Sequence, residues 1–211
     1  MVSAMLKVCK IPVEPLNSNC YLVWDGDSLE AAVIDPGGEG GRIIRETKKR
    51  SLNVRLILNT HGHGDHIAAN AEVREAFGAS ILIAEAEAAL LTDPVLNMSA
   101  AYGLPVTSPE PDGFLVPGGK VAVGGIELEV LDTAGHSPGG VSLYTDGAVF
   151  TGDALFSGSI GRFDLPGGDE ELLISNIRRN LLTLTDRTVV YPGHGKNTTI
   201  GVEKNSNPYL V

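Results

Sequence analysis

The sequence predicts an α/β protein in which two similar halves pack sheet against sheet with helices outside, a four-layer αββα sandwich. Three observations carry that expectation. Strand-like and helix-like segments alternate along all 211 residues. The series meander, helix, strand occurs twice. Aliphatic residues and glycine abound while aromatics make up 5%, which suits an α/β protein better than a helical bundle. No linker divides the halves, so a single domain over residues 1–211 is expected, long enough to bury a core without disulfide or metal staples.

The first half opens with strands around Leu6 to Ile11, Cys20 to Trp24 and Ala31 to Ile34, separated by Pro and Asn or by the Asp25-Gly26-Asp27 turn. Pro36 and the glycines from Gly37 to Gly41 break the chain before helix-like Arg42 to Arg50, and the run Val54 to Leu58 completes a β-α-β step. After the polar loop Thr60 to Asp65, Ile67 to Phe77 sets Ala69, Val73 and Phe77 on one helical face, with Gly78 where a C-terminal cap belongs. Ser80 to Ile83 is a further strand. Asp93 to Pro117, rich in Pro, Ser and Gly and without a sustained period, reads as a long surface excursion with room for one helical turn, the kind of loop that borders active sites.

The second half begins with a meander through Lys120 to Val123, Ile126 to Leu131, Val141 to Tyr144 and Ala148 to Phe150, turning at Gly124-Gly125 and Asp146-Gly147. Asp169 can cap a helix with Glu170 and Glu171 in its first turn and Leu173, Ile177, Leu181 and Leu184 as its buried stripe. Val189 to Tyr191 is the last strand.

A net charge of -10 and a pI near 4.9 give a field that repels nucleic acid and anionic membranes, so neither partner is expected. The one basic run, Lys48-Lys49-Arg50, falls at a helix end, where cations complement the dipole. Met1 to Pro15 lacks a long apolar stretch and reads as neither signal peptide nor membrane span, which leaves the cytoplasm as the default address. Cys9 and Cys20 show no Cys-x-x-Cys spacing and read as buried free thiols, with a cross-strand disulfide as the alternative.

Thr60-His61-Gly62-His63-Gly64-Asp65-His66 places three imidazoles and a carboxylate in seven residues, on a loop leaving an apolar strand and entering a helix. Such a set suits zinc, iron or manganese, and Gly62 and Gly64 let the backbone fold tightly. A polar surface loop would be the plain reading of a single histidine. Here the other two of five histidines occupy the same setting: His136 in Ala134-Gly135-His136-Ser137-Pro138 and His194 in Pro192-Gly193-His194-Gly195, with Asp153 likewise in Thr151-Gly152-Asp153. In an α/β architecture, loops that follow strands are where sites are assembled.

The series His61-x-His63-x-Asp65-His66, then His136, Asp153 and His194, resembles the ligand series of the metallo-β-lactamase superfamily, over essentially the whole chain. The resemblance implies that fold, with two divalent metal ions, zinc foremost and iron or manganese as alternatives. It implies that His61, His63 and His136 hold the first, that Asp65, His66 and His194 hold the second, and that Asp153 bridges them. Asp35, in Val33-Ile34-Asp35-Pro36-Gly37, resembles the family aspartate that orients a ligand; an ordinary turn residue is the other reading. Two such cations make a shared hydroxide at neutral pH, and one polarises the scissile carbonyl. Asp65 would then act catalytically by orienting the hydroxide, and the metals would stabilise the tetrahedral oxyanion.

Two rival motifs fail on context. Gly135-His136-Ser137-Pro138-Gly139 fits the Gly-x-Ser-x-Gly nucleophile pattern, which needs a helix straight after the serine, whereas a strand follows. Gly195-Lys196 lacks the upstream glycine and the following Ser or Thr of a phosphate-binding loop.

Within the superfamily, Asp153 argues against antibiotic hydrolysis, since zinc β-lactamases lack a bridging aspartate there, and the acidic composition argues against ribonuclease-type members. Lactonases share the ligands. Gly158 to Gly168 and the tail from Thr198 to Tyr209 resemble the short, single-domain glyoxalase II group, which implies a hydrolase of small-molecule thioesters such as S-lactoylglutathione. Full-length glyoxalase II carries a further C-terminal helical domain with basic residues for glutathione, which this sequence lacks, so glutathione specificity does not follow. Arg162 and Lys196 offer either a substrate carboxylate contact or surface ion pairs. The Arg162-x-Asp164 stretch also resembles a loop of persulfide dioxygenases, which use one iron and form the runner-up class. A non-catalytic metal-binding module would predict a missing ligand, and none is missing.

Overall fold

The computed structural model describes residues 5–211, so the part of the N-terminal reading that rests on residues 1–4 lies outside the described residues. In the first half, β1 (Leu6–Val13), β2 (Ser18–Asp25), β3 (Glu30–Ile34), β4 (Asn53–Leu58), β5 (Ser80–Ile83) and β6 (Gly113–Phe114) lie side by side in chain order in one six-stranded sheet. The meander β1-β2-β3 is antiparallel; from β3 onward each pairing is parallel, as the expected β-α-β step requires.

The second sheet runs β14 (Thr198–Thr199), β13 (Val189–Pro192), β10 (Ala148–Gly152), β9 (Val141–Thr145), β8 (Ile126–Asp132), β7 (Lys120–Val123). It too is an antiparallel meander followed by a parallel step, from β10 to β13. The halves are therefore similar in plan.

Alternation along the strands builds the layers. Cys20 and Leu22 of β2 pack with Ile43 of α1 (Gly40–Lys49) and Val73 of α3 (Asn70–Phe77). Tyr21 and Val23, pointing the other way, pack with Leu128, Val130 and Phe150 of the second sheet. On that sheet's far face Val149 and Val190 meet Leu173, Ile177 and Leu181. Burying each such aliphatic side chain fully contributes about 1.5–3 kcal/mol. Three apolar layers between four layers of structure give the αββα sandwich.

The helices begin and end largely where the sequence places them. Asp169 caps α5 (Glu170–Asn176) by accepting from the Leu172 N–H at 2.9 Å, and Gly78 closes α3 in the left-handed conformation. Beyond α5 the helix widens into a π turn, Ile177–Leu181, and Leu184 packs just past it.

The segment expected as one helix from Ile67 to Phe77 is instead two. A short α2 (Gly64–Ile67) ends because the Ala69 N–H leaves the helical ladder and donates to the Pro36 C=O at 2.8 Å. Three helical pieces and one hairpin lack a counterpart in the sequence reading: a turn at Glu85–Glu87 leading into α4 (Ala88–Thr92), α6 (Ile200–Ser206), and the hairpin of β11 (Leu155–Phe156) with β12 (Ser159–Ile160). The excursion contains its one turn, Ser99–Tyr102, and also β6; Asn97, Ser99 and Ser108 within it are buried rather than superficial.

Cys9 and Cys20 are free thiols, Cys20 buried and Cys9 half-buried. Among the described residues no helix is long and apolar enough to cross a membrane.

Candidate metal centre

The residues singled out from the sequence all lie just beyond the carboxyl ends of strands. Asp35 follows β3; His61 and His63 follow β4 in the turn into α2, and Asp65 and His66 lie in α2 itself; His136 lies between β8 and β9; Asp153 follows β10 and His194 follows β13. They meet on the seam between the sheets. Polar contacts close that seam from beneath: the Asn19 N–H donates to the Gly193 C=O at 2.7 Å, the Tyr21 hydroxyl to the Pro192 C=O at 2.7 Å, and the Val141 N–H to the Thr60 C=O at 2.9 Å.

All seven candidate ligands converge. His61, His63 and His136 bring one nitrogen each within 4.8 Å of the others, and Asp65, His66 and His194 form a second trio of the same dimension. His63 Nδ1 and His136 Nε2 are 3.0 Å apart, and His194 Nε2 lies 3.1 Å from Asp65 Oδ2. Asp153 touches both trios, with Oδ2 3.6 Å from His136 Nε2 and from His194 Nε2, and Oδ1 3.4 Å from His66 Nε2. Asp35 comes near His61 and His66 as well, but its oxygens are filled: Thr60 donates its N–H at 2.7 Å and its hydroxyl at 2.6 Å, and His66 Nδ1 lies at 3.1 Å. Asp35 is thus placed to orient His66.

These outer contacts turn the rings. His66 Nδ1 faces Asp35, His136 Nδ1 donates to the Arg162 C=O at 2.6 Å, and His61 Nδ1 faces the Thr60 hydroxyl at 3.2 Å. Each leaves Nε2 aimed inward, the arrangement that fixes the tautomer of a metal-binding imidazole. His61 Nε2, His66 Nε2 and Asp153 Oδ1 are buried without a hydrogen-bond partner. Such a group costs about 1–3 kcal/mol, and a cation at the centre satisfies all three, so the residues fit a divalent metal.

The electrostatics of the His61 and His63 imidazoles agree. Burial holds the His61 imidazole well below its ordinary pKa and that of His63 at about 4, so both offer free lone pairs at neutral pH. Burial alone would raise the Asp65 and Asp153 carboxyls, but the adjacent His66 together with His194 outweighs it and keeps both low, Asp153 well below the carboxylate range. Burial disfavours the charged form of His66 too, yet the Asp65 and Asp153 carboxylates win and raise it well above its usual value.

Gly62 and Gly64 serve close packing rather than an unusual backbone angle: a Cβ on Gly62 would lie 2.5 Å from Leu90 Cβ, and one on Gly64 2.7 Å from Ser99 Cβ. Gly193 is tighter still, its Cβ falling 2.1 Å from Asp153 Oδ1. Two residues that contact the candidate ligand loops escaped the sequence reading. Glu87 accepts from the Gly62 and Gly139 N–H groups, and Asn97, wholly buried, accepts from the Gly64 N–H through its C=O at 2.8 Å. Neither belongs to a motif, because each acts on backbone far away in the sequence.

A cavity of about 260 Å³ opens over the centre, with His63, Asp65, Asp153, His136 and His194 on its floor and Leu16, Met98, Tyr102, Phe156 and Leu165 on its walls. Arg162 lines it too, its guanidinium held by Asp164 in a two-pronged pair at 2.9 Å; Lys196 is exposed and outside it. A neighbouring apolar groove of about 390 Å³ shares Leu16, Asp65 and Tyr102 and adds Leu104 and Val106. Ser137, the rival nucleophile, is fully buried, and strand β9 rather than a helix follows it.

The model of the metallo-beta-lactamase superfamily matches residues 13–194. The chain is 41% identical over 204 residues to the hydroxyacylglutathione hydrolase GloC of Haemophilus influenzae, covering 95% of this chain and 96% of GloC. Among solved structures it is similar to the BLEG-1 B3 metallo-beta-lactamase, at 40% identity and a TM-score of 0.93 over 97% of this chain and 100% of that one. It is similar also to TTHA1623 in a di-iron-bound form, at 36% identity and a TM-score of 0.87 over 96% and 100%. With a match across the span that carries every candidate ligand, the chain belongs to the metallo-β-lactamase superfamily of metal-dependent hydrolases.

Proposed function

We propose that the chain is a cytoplasmic, single-domain hydrolase of small-molecule thioesters, akin to the hydroxyacylglutathione hydrolases and working with two divalent ions. His61, His63 and His136 hold one ion, Asp65, His66 and His194 the other, and Asp153 joins them. The observation that carries this reading is the likeness to GloC along nearly its whole length, over a centre whose two ligand trios meet at Asp153. Zinc suits the donors best; iron, named for TTHA1623, and manganese suit them too. The free thiols fit a reducing compartment.

When bound, the ions supply an activated water at neutral pH and polarise the thioester carbonyl. The side chains do the rest. Asp65, on the cavity floor and 3.1 Å from His194 Nε2, orients the attacking water. Apolar walls exclude bulk water around the reacting carbonyl. Water adds to the carbonyl, the carbon–sulfur bond breaks, and a carboxylic acid and a thiol leave.

The test is to count metals per monomer and to assay thiol release from S-lactoylglutathione and simpler thioesters. Near two metals, with release falling about 100-fold or more in Asp65→Ala, supports the reading. One iron, no thiol release and oxygen uptake with glutathione persulfide would move the chain to the persulfide dioxygenases, whose Arg-x-Asp stretch it shares at Arg162 and Asp164. The likeness to BLEG-1 favours a second assay, with a chromogenic cephalosporin; turnover there would show that Asp153 does not bar β-lactams.

A further inference from the structure

Glu87 is completely buried, yet nothing in the proposed reaction uses it. It closes the Glu85–Glu87 turn ahead of α4. Its Oε2 accepts from the Gly62 N–H at 2.8 Å and its Oε1 from the Gly139 N–H at 2.6 Å. Gly62 separates His61 from His63, and Gly139 stands just past His136 and Pro138. One carboxylate thus spans two ligand loops, one leaving β4 of the first sheet and the other joining β8 to β9 of the second.

Both glycines press on this turn. A Cβ on Gly62 would lie 3.2 Å from Glu87 Oε2, and one on Gly139 would lie 2.8 Å from Ala86 Cβ and 3.3 Å from Glu87 Cγ. Burying a carboxylate is costly unless its oxygens are satisfied, and here both are committed to uncharged backbone donors rather than to a cation. An apolar side chain would fill the same space but leave the Gly62 and Gly139 N–H groups without acceptors.

We propose that Glu87 is a positioning residue for the metal centre: it sets the separation of the two loops and thereby the geometry of the His61, His63 and His136 trio. The proposal rests on that trio binding a metal. The task requires a group that accepts at both ends and reaches both loops. In Glu87→Gln one oxygen remains an acceptor while the amide NH₂ confronts the other glycine N–H, at nearly unchanged volume. Glu87→Asp keeps the charge but is one methylene shorter and cannot meet both donors.

The experiment titrates Co²⁺ into the metal-freed full chain, following visible absorption and heat, with the melting temperature of the metal-free protein measured alongside. His136→Ala identifies which binding step belongs to the trio. In Glu87→Gln and Glu87→Asp that step weakens about 10- to 100-fold and its absorption band changes shape, while the other step keeps its affinity. An unchanged trio step with an unchanged band overturns the proposal. So does an equal loss at both steps accompanied by a lower melting temperature, which would mark Glu87 as a support of the fold alone. If the wild-type chain shows no step that depends on His136, the ligand assignment itself falls and this proposal with it.

Discussion

The two halves hold their share of the metal centre by different means. In the first half side chains do most of the holding: Asp35 grips Thr60 and His66, the Thr60 hydroxyl meets His61, and Glu87 takes the Gly62 N–H. In the second half, Glu87's hold on the Gly139 N–H aside, the backbone does it. The Arg162 carbonyl fixes His136, the Gly193 N–H donates to the Gly152 C=O at 2.7 Å, and Asp153 packs against Gly161 and Gly193. A side-chain contact is undone by an isostere that removes a hydrogen bond, whereas a backbone contact is undone by an added atom. The halves should therefore respond to opposite kinds of substitution.

Gly193→Ala should have the largest effect, because the new methyl falls 2.1 Å from Asp153 Oδ1 and 2.8 Å from His66 Cε1. The expected outcome is loss of at least one metal by elemental analysis, and destabilisation of about 1–3 kcal/mol in denaturant melts. Full metal content and unchanged stability would break the comparison. Asp35→Asn, of nearly equal volume, should weaken metal binding about 10- to 100-fold in chelator competition, because the amide donates where His66 and Thr60 also donate. A loss larger than that of Gly193→Ala would reverse the ranking of side-chain and backbone control.

The smallest effect concerns acid. Burial lowers the His63 pKa from 6.5 to about 4 in the folded chain. A histidine lowered by folding leaves stability intact above its unfolded pKa and takes it away as pH falls towards the folded value, since the unfolded chain then binds the extra proton. In the presence of chelator, the wild type should therefore lose stability relative to His63→Gln between about pH 7 and pH 5. Urea melts at both pH values read this, and a difference that ignores pH would remove burial as the cause.

The same contrast explains what could be read from the sequence. The first half announces itself because four candidate ligands crowd between His61 and His66, and Asp35 stands in a recognisable Asp-Pro-Gly turn. In the second half His136, Asp153 and His194 are single residues in glycine-flanked loops, legible only as members of a series. The layers were legible wherever strands alternate, as in Cys20 to Val23, whose residues divide between two apolar layers. The break between α2 and α3 was not, because it depends on the Pro36 carbonyl, distant in sequence, taking the Ala69 N–H. Glu87 was illegible for the same reason. Its neighbours Glu85 and Ala86 suggest an ordinary polar turn, and its role appears only when Gly62 and Gly139 come to it.

Asn97 ties the long excursion to the rest of the fold at several points. Its amide donates to the Leu90 and Val106 carbonyls, both at 3.0 Å, and its own carbonyl holds Gly64 beside the ligand loop. Between these anchors Tyr102 and Leu104 remain half open to solvent. Substitution of Tyr102 would reshape the wall over the cavity while the Asn97 hydrogen bonds beside the ligand loop stay in place. A lineage could thus change what it binds without rebuilding how it reacts, and Asn97 marks the boundary between the two.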